Sequence, residues 1–368
     1  MTASPDRPLD GVSVVDLTSN VAGPWASAVL ADLGADVLHV ESPEGDDARR
    51  MAPVTGSGSA YFHVANRNKR GERLDIRESA GRARLQGLID QADVLVTNLR
   101  PGTLARYGLD AATLRSTHPR LIHAALNAYG RVGHEADRAG YDGVVQARTG
   151  IASVTGIPDG PPVRAGVSVL DVGAGTWLAL AVIAALYRRE LTGEGSDVAT
   201  SLLETGATWV GYHVVAQQVT GSASTRSGSG HPAFAPYGIY STADGAICLG
   251  IGGDGVYARL CDALGAPHLA SDARYITNAD RVAHAAELRH DLEAVLGTFT
   301  ARDALERLAR NDVPADVVAL PEDLLADEQA EALEVFTAVD IDGQSVRMPG
   351  LPITFDGERP RIGYGGPT

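Results

Sequence analysis

Four short runs of this chain are apolar almost without interruption: GVSVVDL (11–17), ADVLHVE (35–41), DVLVT (93–97) and the centre of PRLIHAALNAYG (119–130). Strands buried on both faces read this way, whereas strands with one wet face alternate, so the runs predict a parallel sheet covered by helices. Between the first two lies WASAVLADLG (25–34), a short helix stopped by Gly34. The three together are a βαβ unit, which opens a doubly wound α/β sheet whose ligands sit at the carboxyl ends of its strands. Residues 174–190, ending in TWLALAVIAALYRRE, are apolar nearly all round and predict a buried helix, loosened at its entry by Gly173 and Gly175 and closed by Arg188, Arg189 and Gly193. Residues 196–218 read as a strand and a long helix, and SASTRSGSG (222–230) as a linker. After it, 231–254 alternates like strands around an Asp244-Gly245 hairpin turn; GIGGDG (250–255) lacks a following Gly-Lys-Ser/Thr and reads as a turn. The rest is helical to about Pro314. The pattern divides the chain into a large α/β domain over 1–221, a smaller α+β domain over 222–316 and a return segment over 317–368.

The stretch GVSVLD (166–171) sets Asp171 at a turn just before the buried helix. The amide end of a helix favours an anion, and an ionised, partly desolvated carboxylate is a nucleophile; a plain helix cap is the other reading of this position. Thr18 to Pro24, after the first strand, is not Gly-x-Gly-x-x-Gly, so dinucleotide binding has no motif behind it. Asn98 stands at the carboxyl end of the strand at 93–97. Lys69 and Arg70 follow a tight turn, where they meet phosphates or form a solvated basic turn.

Several stretches in order resemble the family III CoA-transferases, the group that includes formyl-CoA transferase, carnitine CoA-transferase and the α-methylacyl-CoA racemases. They are ESPEGDDARR (41–50), NRNKRGERLDI (66–76), Asn98-x-x-Pro101-Gly102-x-x-x-Arg106, Gly140-Tyr141-Asp142, Gly166-x-x-x-x-Asp171, Arg188-x-x-x-Thr192-Gly193-x-Gly195 and Pro349-Gly350-x-Pro352-x-x-Phe355-x-Gly357. The family's Leu-Gly-Glu-His-Thr continuation is not among them. The resemblance implies an open Rossmann-like sheet built from both chain ends, a small domain, and an interlocked homodimer. It makes Asp171 the catalytic carboxylate and sets Asn20, Val21 and Ala22 along the CoA and acyl pocket. Lys69, Arg70, Leu74 and Asn98 become CoA contacts, and Arg106 a contact to its nucleotide half, unless Arg106 is an ordinary surface arginine. Val21 replaces a Gln of formyl-CoA transferases, which favours a larger or less polar acyl group. Tyr141 stands where racemases have His, and donates a hydrogen bond to the reacting carbonyl or packs in the core. The implied reaction transfers CoA from an acyl-CoA to a carboxylic acid through a covalent aspartyl intermediate, with amides near Gly173 to Gly175 as an oxyanion hole. The alternatives are an α-methylacyl-CoA racemase with Asp171 as base, and a CoA-binding protein without turnover.

Composition narrows the partners. A chain of 368 residues suggests two domains, and a formal charge of −15 argues against nucleic acid and anionic membranes. CoA is itself polyanionic, so its site must be a local basic patch. Lys69 is the only lysine, and two cysteines make neither a disulfide framework nor a Cys-rich metal site, which fits a reducing cytoplasm. The N-terminal MTASPDRPLDG has no signal pattern, and no apolar run is long and isolated enough to predict a membrane span.

Overall fold

The computed structural model describes residues 7–367; residues 1–6 of the N-terminal segment read above, and Thr368, lie outside them. The chain separates into two compact units. The larger takes in the chain up to Ile151, Arg164–Val219 and the segment from Leu325; the smaller takes in Ala152–Val163 and Thr220–Leu324.

In the larger unit, β1 (Ser13–Leu17), β2 (Asp36–Glu41), β3 (Arg70–Arg73), β4 (Val94–Thr97), β5 (Ile122–Asn127) and β6 (Asp197–Ser201) form one sheet in the order β3-β2-β1-β4-β5-β6. Every neighbouring pair is parallel. The order reverses between β1 and β4, the switch point where open α/β sheets leave a crevice for ligands. Helices follow as α1 (Ala22–Asp32), α2 (Ala60–Asn66), α3 (Ser79–Ile89), α4 (Pro101–Tyr107), α5 (Ala111–Thr117), α6 (Asp142–Thr149), one-turn α7 (Ile151–Val154), which passes into the smaller unit after its first residue, α8 (Val169–Thr192), α9 (Leu202–Trp209) and α10 (Gly211–Thr220).

Successive strand residues feed opposite faces, as the pleat requires. Val14, Val94, Val96 and Ile122 pack with Leu30 of α1 and Leu178 and Val182 of α8. Val15, Leu38 and Leu95 pack with Leu85 and Ile89 of α3 and Leu104 of α4. This two-sided burial is why the strands read as unbroken apolar runs.

Two predicted elements change. The buried helix begins at Val169, so Asp171, Gly173 and Gly175 all lie inside it. At 24 residues, with an 18-residue stretch of mean hydropathy 2.0, α8 has the length and composition of a membrane span, yet half of that stretch is buried. The long helix expected to Gln218 is two helices, α9 and α10, meeting at Val210 and Gly211.

The smaller unit holds an antiparallel sheet of β7 (Tyr237–Ser241), β8 (Ala246–Gly250) and β9 (Ala315–Val317), with the hairpin closed by Thr242 N–H donating to Gly245 O at 2.9 Å. Around it lie α11 (Asp254–Ala263), α12 (Pro267–Ser271), α13 (Asn278–Ala283), α14 (Ala285–Leu296) and α15 (Ala301–Arg310), with Ile247, Leu249, Leu260, Leu288 and Leu292 in the core. After Leu325 the larger unit regains α16 (Glu328–Ala332) and the hairpin β10 (Phe336–Ile341) with β11 (Gln344–Pro349).

Candidate active site

At the switch point of the larger unit is a cavity of about 870 Å³. Its walls are the turn after β1 (Ser19 to Ala22), the turn after β4 (Asn98 to Arg100), the end of β5 (Asn127, Ala128), residues 138–143, and Arg164, Ser168 and Asp171. The predicted Asn20, Val21, Ala22, Asn98, Tyr141 and Asp171 therefore meet in one place.

The first turn is gripped from two sides. Asn98 Oδ1 accepts from Ser19 N–H at 3.1 Å and its Nδ2 donates to Ser19 O at 2.7 Å. Asp46 Oδ1 accepts from Asn20 N–H at 2.9 Å and Ala48 N–H at 2.8 Å. Asn20 has φ of 69°, a left-handed conformation that Asn tolerates better than most residues because its short side chain bonds locally. Asn98 thus shapes the cavity wall through the backbone. Asp46 comes from the ESPEGDDARR motif, whose Glu41 accepts from Asp46 N–H at 2.8 Å and from Arg49 Nε at 2.7 Å. Sequence reasoning listed that motif and missed that it props the active-site turn.

Asp171 is the third residue of α8. The open amides of that first turn do not face a ligand: Asp142 Oδ2 accepts Leu170 N–H at 2.7 Å and Asp171 N–H at 3.2 Å, and Gln146 Nε2 donates to Asp142 Oδ1. Asp142 is 6% exposed and so places a carboxylate beside Asp171 in a dry wall. Burial, and after it the Asp142 charge, push the Asp171 carboxyl from the ordinary 3.8 up to about 7. The expectation that the helix terminus simply holds Asp171 ionised is corrected: a second carboxylate has taken the amides.

Close packing sets α8 against the turn. A Cβ on Gly175 would stand 2.5 Å from Ala22 O and 2.9 Å from Trp25 Cδ1, so only glycine lets α8 cross α1 at this distance. Gly175 serves this crossing and Gly173 gives room to Trp209 of α9, where a Cβ would stand 2.2 Å from its Cζ2, so neither loosens the helix entry; their amides lie beyond the first turn, where the helical ladder uses them. They do not form the expected oxyanion hole. Gly140, which leads into Tyr141, likewise has no room for a side chain, since a Cβ would stand 2.6 Å from Ala128 Cβ. Tyr141 caps α6 and is 67% exposed, so it lines the cavity and is not a core tyrosine.

Three predicted CoA contacts, Lys69, Arg70 and Arg106, lie elsewhere. Lys69 is fully buried, its Nζ donating to Asp16 Oδ2 at 2.9 Å, Pro24 O at 2.8 Å and Asn66 Oδ1 at 2.8 Å. With its donors taken by three acceptors it meets no phosphate; it ties β1 to the first turn of α1 from beneath. Burial pushes the Asp16 carboxyl up, but Lys69 and His39 outweigh it and hold the group below the ordinary carboxylate range. Arg70 opens edge strand β3 and forms a bidentate pair with Asp36, the first residue of β2, at 2.9 and 2.8 Å. That pair is at the amino ends of the strands, opposite the cavity. Leu74 lines a second cavity of about 380 Å³ with Ile76, Arg77 and Tyr107, which shares Ser19, Leu99 and Thr103 with the first. Arg106 is exposed on α4 and lines neither.

The chain matches the model of CoA-transferase family III over residues 9–368. It is 36% identical to the succinate–glutarate CoA-transferase of Agrobacterium fabrum, over 99% of this chain and 95% of that one. To the acetyl-CoA:oxalate CoA-transferase of Acetobacter aceti it is 34% identical, over 96% of this chain and 91% of the other. A solved CaiB/BaiF family protein from Brucella suis superposes with a TM-score of 0.88 at 36% identity, covering 99% of this chain and 96% of that one.

Proposed function

Because this chain belongs to CoA-transferase family III, we propose that it moves CoA from an acyl-CoA thioester to a carboxylic acid through a covalent intermediate on Asp171. The observation that carries the reading is the pair Asp142 and Asp171: one carboxylate locked to the helix amides, the other facing the cavity with its pKa pushed up to about 7.

A rise from 3.8 to about 7 makes the Asp171 anion roughly 4 kcal/mol less stable than the same group in water, taking 1.36 kcal/mol for each unit. A neutral acyl derivative escapes both burial and the Asp142 repulsion. The carboxylate is therefore strained towards acylation, while about half of it remains ionised near neutral pH. Asp171 attacks the thioester carbonyl, the C–S bond breaks, and CoA thiolate leaves a mixed anhydride. The thiolate then attacks the aspartyl carbonyl of that anhydride, which gives an aspartyl-CoA thioester and releases the donor's acid. The acceptor carboxylate attacks this thioester, and the expelled thiolate attacks the acceptor's own acyl carbon, restoring Asp171. Tyr141 and the amides of Ala22 and Gly23, at the start of α1 where Val21 offers no capping side chain, receive the charge that develops on the carbonyl oxygen. One such donor contributes ~3 kcal/mol in comparable sites.

The thioester end of CoA lies against Val21, Ala22, Tyr141 and Asp171, and its nucleotide end reaches towards the second cavity, past Leu74 and Arg77. Among the described residues no imidazole lines the main cavity to serve as a racemase's second base. Asp142 is engaged as the acceptor of two helix amides and of Gln146. A second copy of the chain is the proposed partner, supported by Trp177, Leu180, Tyr187 and Leu191 standing exposed along α8. The names of the two relatives carry succinate, glutarate and oxalate, all dicarboxylic acids.

The test is chromatography of the CoA esters formed when the protein is given a panel of acyl-CoAs and acids. A new ester that requires both substrates, and is lost in Asp171→Ala, is the expected outcome. Exchange of the acyl α-proton with solvent and no new ester would overturn the reading.

A further inference from the structure

The main cavity is lined by three arginines, Arg100, Arg138 and Arg164. Arg138 is ion-paired with Glu135. Among the described residues no carboxylate pairs with Arg100 or Arg164, in a chain whose formal charge is −15; other arginines without an acidic partner, such as Arg73, Arg82 and Arg106, do not line this cavity. An unpaired guanidinium on a cavity wall of an acidic protein points to an anionic ligand.

The two free cations differ in place. Arg100 caps α4 beside Leu99 and Thr103, which also line the second cavity, so it stands on the side where CoA phosphates belong. Arg164 stands at the reacting end. Its stem crosses Gly143, where a Cβ would come within 3.4 Å of Arg164 Cδ, and Gly143 follows Asp142, whose carboxylate holds the Asp171 amide. Arg164 Nη1 donates to Ala165 O at 2.8 Å and is 3.5 Å from Gly166 O, while among the described residues no acceptor engages Nη2 or Nε. The backbone bond orients the fork and leaves its other edge open.

The phosphates of CoA are at the far end of the pantetheine arm from the sulfur. An anion meeting a guanidinium beside Asp142 and Asp171 is therefore carried by the acyl group or the incoming acid. Resting on the transfer reading above, we infer that Arg164 binds the distal carboxylate of a dicarboxylic acid, both as the acyl group of the donor and as the acceptor. The carboxylate that reacts lies at Asp171 and the one that does not lies on Arg164, so the site selects dicarboxylic over monocarboxylic acids of equal length.

The experiment compares wild type, Arg164→Gln and Arg164→Lys with acceptors matched in carbon chain: succinate against butyrate and glutarate against pentanoate. A charged hydrogen bond lost to Gln raises the KM for the diacid about ten- to a hundred-fold. With acetyl-CoA as donor, whose acyl group has no distal carboxylate, the KM for the monoacid and for the donor stay within about two-fold, and Lys recovers part of the loss. Equal KM increases for both acids, or an increase confined to acetyl-CoA, overturn the assignment; the latter makes Arg164 a phosphate contact. A wild type that prefers monoacids overturns this inference and leaves CoA transfer standing. A wild type that passes CoA to no acid overturns the transfer reading and this inference with it. Arg164 is exposed, so unchanged thermal unfolding of both variants is expected, and separates loss of binding from loss of fold.

Discussion

Replacing Asp171 by Asn should remove the reaction and stabilise the protein, and the stabilisation should depend on pH in a defined way. The side chain keeps its shape and loses its charge. The folded-state pKa of about 7 exceeds the ordinary 3.8 by about 3 units, which sets an upper limit of ~4 kcal/mol. Partial exposure of Asp171 brings in solvent screening, so a value of about 2–4 kcal/mol is expected. Below about pH 4 the carboxyl is protonated in folded and unfolded chains alike, and its neutral form costs the fold nothing. Between about pH 4 and 7 the unfolded chain gives up the proton and the folded one keeps it, so stability falls as pH rises, and the loss is complete above the folded pKa. Asn does not titrate and lacks this penalty. Urea unfolding at matched protein concentration should therefore show the Asn variant about 2–4 kcal/mol more stable than wild type at about pH 8.5, and within about 1 kcal/mol of it at about pH 4.5. A variant whose advantage is the same at both pH values, or absent at the higher one, would refute the view that Asp171 is a strained carboxylate.

The first acylation step needs ionised Asp171, so its single-turnover rate with acyl-CoA should climb with pH to half its maximum near 7 and about a tenth one unit lower; a rate flat across that range counts against the site. Asp142→Ala removes the acceptor of two helix amides and the neighbouring charge. It should cost about 1–2 kcal/mol of stability by urea unfolding and move the acylation midpoint to lower pH; a lost midpoint shift would separate the cap from the charge. Lys69→Met leaves Asp16 buried without its ammonium partner and should cost about 3–5 kcal/mol. If instead the variant folds normally and only its KM for acyl-CoA rises, Lys69 is a phosphate ligand after all.

The sheet was legible because parallel strands buried on both faces leave uninterrupted apolar runs, and β1, β2, β4 and β5 fall within them. Asp171 was picked out by the family resemblance, because its place at the start of an apolar helix left a cap and a nucleophile both open, and the structure sets it on the cavity wall. What escaped depends on partners distant in sequence. Ser168 looks like the local cap of α8 and makes no capping bond, while Asp142, 28 residues before Leu170, makes it. That single contact turns an apparent turn residue into the third residue of a helix, and reverses the direction in which its charge is stabilised. Lys69 reads as a basic turn, because nothing nearby shows that Asp16, 53 residues away, draws it into the core. Gly173 and Gly175 look like breakers and are points of close packing, since the atoms that need their space belong to Trp209 of α9 and to the backbone of α1. Arg164 sits in no apolar pattern, and only its place on the wall beside Gly143 marks it.

The most direct measurement follows oxygen through Asp171. With an acceptor acid labelled at its carboxylate oxygens, attack on the aspartyl-CoA thioester and the thiolate's return to the acceptor carbon leave one acceptor oxygen on Asp171. Mass spectrometry of the peptide containing Asp171, after many turnovers, should show heavy oxygen in that side chain and nowhere else. Turnover that yields labelled acyl-CoA and an unlabelled Asp171 would contradict a covalent aspartyl route and require direct transfer between bound substrates.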